Sequence, residues 1–114
     1  MSELVTYEAG GAQALDLLPP IHPGEILAEE FMAPLGISQT SLAADLGVSF
    51  RRIHDILKGK RGISAETSLL LGRYFRMGDE FFLRLQVDFD LKVARKRIGG
   101  QLANLQPNQR TGVA

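Results

Sequence analysis

Between residues 21 and 98 the apolar positions recur at helical spacing, and no segment shows the strict alternation of a strand. Punctuating residues divide this stretch into about five predicted helices. His22-Pro23 places a proline where a first helical turn tolerates it, and Glu25, Glu29 and Glu30 follow near the positive end of the helix dipole. This first helix is predicted to reach about Ala33, where Pro34, Leu35 and Gly36 break it. Ser38 can cap a second helix, "QTSLAADL", which Gly47 ends. Ser49 can cap a third, "FRRIHDILK", with Ile53, Ile56 and Leu57 on one face, and Gly59 stops it. Ser64 can cap a fourth through Tyr74 and Phe75, and Gly78, Asp79 and Glu80 open a long fifth helix ending near Ile98. The stretch before Ile21 closes on Pro19-Pro20 and reads as a flexible arm; the Gly- and Pro-broken stretch from Gly99 reads as a flexible tail. The expected organisation is an arm at 1–20, one domain at 21–98 and a tail at 99–114.

The fifth helix carries two apolar stripes. Phe81, Phe82, Leu85, Phe89 and Val93 form one; Leu83, Val87, Leu91, Ala94 and Ile98 form the other. One stripe can pack on the domain's own core. The second needs cover, and a two-fold partner copy is the commonest way to supply it, so that stripe is the expected homodimer interface. A compact monomer with the N-terminal arm laid against helix five is the alternative.

The second and third helices, joined by Gly47-Val48-Ser49, form a helix-turn-helix candidate. Ala43 is small where the helices would cross, Gly47 suits a left-handed turn, and Leu42, Leu46, Val48, Ile53 and Ile56 can share a core. Charge sharpens this picture. Residues 1–48 carry seven acids and no bases, whereas residues 49–114 carry thirteen bases and six acids, so a net charge of zero hides a dipole. Five of the bases lie in "LGVSFRRIHDILKGKRG", beside one acid.

On a helix entering the major groove, Arg51 can pair bidentately with guanine, and Arg52 can read a base or hold a phosphate. Asp55, one turn after Arg51, can accept from cytosine or hold Arg51 in place, and Phe50 can touch a thymine methyl. Lys58, Lys60 and Arg61 suit phosphate contacts from the loop after the helix; Gln39 and Ser49 suit them at the helix starts. "RKR" at residues 95–97 is read as the basic close of a helix, where positive charge favours the dipole.

The remaining chemistry is excluded piece by piece. The chain has no cysteine, and His22 and His54 are 32 positions apart without clustered ligands, so neither metal nor cofactor is expected. His22 reads as a helix-start residue. No phosphate loop, nucleophile motif or catalytic carboxylate pair is present, so an enzyme is not expected. No apolar run spans a bilayer, and the acidic start is unlike an export signal, which points to a cytoplasmic location.

Four stretches together resemble the HigA-type antitoxins of the XRE-like helix-turn-helix class: "IHPGEILAEEFMAPLGIS", "SLAADLGVS", "ILKGKRGISAET" and "FFLRLQVDFDL". The resemblance covers roughly Ile21 to Arg97. It departs at Lys58, where the family usually has asparagine, at Arg76, where it has glycine, and at Phe82 and Phe89, where it has tryptophan and tyrosine. It implies an all-α, five-helix, lambda-repressor-like helix-turn-helix domain. It further implies a homodimer on an inverted-repeat operator in double-stranded DNA, with recognition helices about 34 Å apart. The implied function is an antitoxin that represses its own operon and neutralises an mRNA-cleaving toxin. That toxin is expected to be small and basic, with the acidic first half as its dock. The alternative is a stand-alone XRE-type transcriptional repressor with no toxin partner.

Overall fold

A computed structural model describes residues 18–109. Within them the secondary structure is helical throughout, in five helices with no strand. Most of the expected arm, up to Leu17, and the last five residues lie outside the described residues.

Helix α1 occupies residues 23–35 in three successive parts: an α-helical turn Pro23–Ile26, a π-helical stretch Leu27–Met32, and a closing turn Ala33–Leu35. It starts where His22 accepts the Gly24 N–H on Nδ1 at 2.9 Å, with Pro23 supplying the first helical φ. Pro34 does not end it, contrary to the break expected there. In the π stretch the Ala33 N–H reaches back to the Ala28 carbonyl, and this widened turn accommodates the ring and the missing N–H of Pro34. Gly36, left-handed at φ 65°, is the residue that stops the helix.

Helices α2 (Gln39–Leu46), α3 (Phe50–Leu57) and α4 (Ala65–Tyr74) begin at the serines expected to cap them. Ser38 Oγ accepts from Ser41 N, Ser49 Oγ from Arg52 N, and Ser64 Oγ from Thr67 N. Gly47, at φ 72°, closes α2, and the Val48 N–H returns to the Ala43 carbonyl at 3.0 Å. That short turn sets α3 across α2.

Helix α5 spans Phe81–Asn104 with a kink at Ile98, so its first segment ends where expected. Ile98 departs from helical dihedrals at φ −114° and ψ 25°, but the helix resumes through Gly99 and Gly100. A second helical segment follows the kink to Asn104 within the stretch read as tail, and Arg95-Lys96-Arg97 stand in the last turn before the kink, as expected. No contact in the structure explains the glycine pair, whose Cβ positions would meet nothing.

Two compact units make up the chain: residues 19–90 and a second unit whose described part is residues 18 and 91–109. The core of the first consists of Leu27, Met32, Leu42, Ala43, Ile53, Ile56, Ile63, Leu71 and Phe82, all buried. Phe31 packs against the rings of Phe75, Phe81 and Phe82 at 5.3, 5.8 and 5.0 Å between centroids. Leu46 and Val48 complete the turn by packing on this core while remaining partly exposed. The closest approach lies at Gly24, where a Cβ would fall on the Ile56 carbonyl oxygen, so only glycine lets α1 cross α3 there.

Candidate nucleic-acid interface

Burial of Ile53 and Ile56 turns the opposite side of α3 outward, and this fixes which side chains a ligand can meet. Arg51 stands out from the surface with 80% of its side chain exposed. Its Nε donates to Asp55 Oδ2 at 3.2 Å, one turn later, and its two Nη groups have no partner among the described residues. Of the two roles open to Asp55, holding Arg51 is the one this geometry displays. Arg52 behaves differently. Only 28% of its side chain is exposed, and Nη1 lies 3.8 Å from Glu66 Oε1, so it leans toward α4. Phe50 is exposed at the first turn.

The cationic loop after α3 is shaped by the chain itself. Gly59 adopts φ 74°, which lets the N–H groups of Lys60 and Arg61 fold back onto the Asp55 carbonyl at 2.8 and 3.2 Å. Lys58, Lys60 and Arg61 are thereby exposed at the end of α3. The far end of the loop is anchored by Ile63, whose N–H donates to Gln86 Oε1 at 2.8 Å. Gln86 is nearly buried, and its Nε2 donates in turn to Asp90 at 2.9 Å. Sequence reasoning did not assign a role to Gln86, because the bond joins residues far apart in the chain.

His54 and Gln39 form a second pairing that spacing alone does not reveal. The His54 ring lies almost parallel to Phe50, and its Nδ1 is 3.1 Å from Gln39 Oε1. Gln39, expected at the DNA backbone, is thus already engaged through its oxygen. Ser49 is likewise committed as an acceptor in its cap, which leaves its hydroxyl proton for a ligand.

Elsewhere the acids of α1 and α2 line exposed positions: Glu25, Glu29, Glu30 and Asp45. Tyr74 donates to Asp45 at 2.7 Å, and that bond to a carboxylate holds the phenol above its ordinary pKa. On α5, Val87 and Leu91 are each 46% exposed, while Leu83, Ala94 and Ile98 are half-buried. Among the described residues no group of His, Asp or Glu could hold a metal ion, and no helix is long and apolar enough to cross a membrane.

Comparison with known proteins places this geometry. A helix-turn-helix family model matches residues 29–82, which include every side chain of the α3 face and its loop. Virulence-associated protein I of Dichelobacter nodosus is 47% identical over 79 residues, covering 69% of this chain and 73% of that protein. The solved structure of Pseudomonas aeruginosa antitoxin HigA with the higBA promoter superposes with a TM-score of 0.73 at 42% identity, covering 77% of this chain and 97% of that one. The chain belongs to the HigA-type antitoxin family of helix-turn-helix proteins. A HigA-family addiction module antidote protein from Coxiella burnetii agrees, with a TM-score of 0.74 and 40% identity over 80% of this chain and all of that one. Against the HigA-type pattern, Arg76 is the departure with a structural cost: it sits at φ 60°, a left-handed conformation that glycine adopts freely.

Proposed function

We propose that this chain is the antitoxin of a type II toxin-antitoxin module, a cytoplasmic dimer that represses its own operon and neutralises an mRNA-cleaving toxin. The observation that carries the DNA half is the outward face of α3, where Arg51 is presented by Asp55 next to a loop of exposed cations. Arg51 reads a base, with Phe50, Arg52 and Asp55 around it, while Lys58, Lys60, Arg61, Gln39 and Ser49 hold phosphates. The HigA relative solved with its promoter supports the same use here. The stripe Leu83, Val87, Leu91, Ala94 and Ile98 pairs two copies, which sets two α3 helices on successive major grooves. Glu25, Glu29 and Glu30 on α1 offer an acidic dock for a basic toxin.

Two experiments test the halves separately. Arg51→Ala is expected to cost about 1 to 3 kcal/mol on the selected operator and to relax its sequence preference, whereas Lys60→Ala weakens all duplexes alike. Equal losses on operator and scrambled DNA for both variants refute the assigned roles. For the toxin half, the neighbouring small reading frame is expressed with and without this chain. Rescue of growth and co-purification are expected. A harmless neighbour leaves the stand-alone repressor.

A further inference from the structure

His54 lies on the same helix as the residues assigned to DNA, yet its own side chain faces two of them. His54 Nδ1 lies 3.1 Å from Gln39 Oε1, and because a carboxamide oxygen can only accept, the tautomer that makes this bond is the one with the proton on Nδ1. Holding that oxygen fixes the whole amide: Nε2, with both its hydrogens, is turned away from the imidazole. An unclamped glutamine at the head of α2 presents oxygen and nitrogen alternately to an approaching phosphate, and the oxygen repels it. A clamped one presents donors only. The same imidazole supports Phe50, with centroids 5.7 Å apart and planes at 20°, although the Phe50 ring is 49% exposed. A supported ring has less rotamer freedom to lose when it meets a base.

The geometry points to His54 as a positioning residue for operator recognition, one that orders the Gln39 donors and the Phe50 ring before DNA arrives. The inference rests on the reading of α3 as the base-reading helix. It also explains why two residues fifteen apart, on different helices, share a partly buried hydrogen bond.

The test uses the full chain and a pool of duplexes of randomised sequence, with bound fractions sequenced and affinity for the selected duplex measured across salt. The variants are Gln39→Ala, His54→Ala, their double, Phe50→Ala and His54→Asn, each checked by thermal melting. Asparagine keeps an N–H near the Nδ1 position but has no ring, so it separates the two supports. Gln39→Ala and His54→Ala are each expected to bind about tenfold more weakly, and the double no more weakly than either, because both break the same link to the DNA backbone. Gln39 meets the backbone through an uncharged amide, so in Gln39→Ala and His54→Ala the log–log salt slope stays that of the unaltered chain, whereas Lys60→Ala lowers it by about 0.9. His54→Asn recovers affinity but shares with Phe50→Ala a weakened preference for thymine. Additive losses in the double variant overturn the inference, as does a folded His54→Ala chain that selects the same duplexes with the same affinity. If the unaltered chain selects no sequence at all, the reading of α3 fails and takes this inference with it; a failure confined to the His54 variants leaves that reading standing.

Discussion

The α2–α3 pair and helix α5 use their apolar residues in opposite ways. In the pair, Leu42, Ala43, Ile53 and Ile56 are buried within one unit, both starts are capped by serine, and a glycine crossing locks α3 against α1. In α5, Phe82 is buried, but Val87 and Leu91 remain nearly half exposed and the helical geometry lapses at Ile98. The pair buries its aliphatic core residues and turns polar and basic side chains outward, with Phe50 the one large apolar side chain it leaves exposed. Helix α5 leaves apolar surface that solvent does not favour.

The sharpest way to break the contrast is at Gly24. Gly24→Ala drives a methyl into the Ile56 carbonyl, which belongs to backbone and cannot swing aside, so a loss of about 3 kcal/mol is expected in urea unfolding. A loss below about 1 kcal/mol would mean that the two helices separate easily. Next in size is the joint change Val87→Glu and Leu91→Glu. Sedimentation is expected to show self-association weakened about a hundredfold, with the thermal midpoint of the monomer little changed. Unaltered association would place the partner elsewhere.

Arg76 lies between the two regions, in the turn from α4 to α5. Arg76→Gly relieves a left-handed backbone and is expected to stabilise by about 1 kcal/mol, read as a raised urea midpoint. The smallest effect concerns His22, which caps α1 and meets Phe89 of α5 edge-on at 5.0 Å. Burial lowers its pKa below the ordinary 6.5, against an opposing pull from Asp90. The folded state therefore favours the neutral ring, which Nδ1 needs to accept from Gly24. The stabilisation this confers is complete above pH 6.5 and is lost as pH falls through the lowered value. His22→Asn, which keeps an acceptor but does not titrate, is expected to show a flatter decline between about pH 7 and 5. Parallel curves for the two chains would remove His22 from the acid response.

The parts legible in the sequence were the local ones. Ser38, Ser49 and Ser64 each bond an amide three residues on, and Gly36, Gly47 and Gly59 each adopt a conformation that their own turn demands. Such signals need no knowledge of the fold. The five-helix all-α architecture and the helix-turn-helix followed from them. Contacts between distant residues left no such trace. Gly24 is marked only by a carbonyl on another helix, His54 only by Gln39, and Gln86 only by Ile63. The break at Ile98 falls where the sequence ends helix five, whereas the short helical segment after it opens on two glycines, which weigh against a helix by roughly 1 kcal/mol each, and Pro34 reads as a break because its π-helical surroundings have no spacing signature.

The bond from Ile63 to Gln86 also sets an order of events as the chain is made. The cations at 58–61 are synthesised before their anchor, and the anchor closes a loop of 23 residues that is ordered only once α5 has docked. A nascent chain that ends within α4 therefore carries α3 but not the anchor of the loop beside it. On the proposed function, the grip on DNA and the surface for a second copy would arrive with the same helix, and a product truncated before it would have neither.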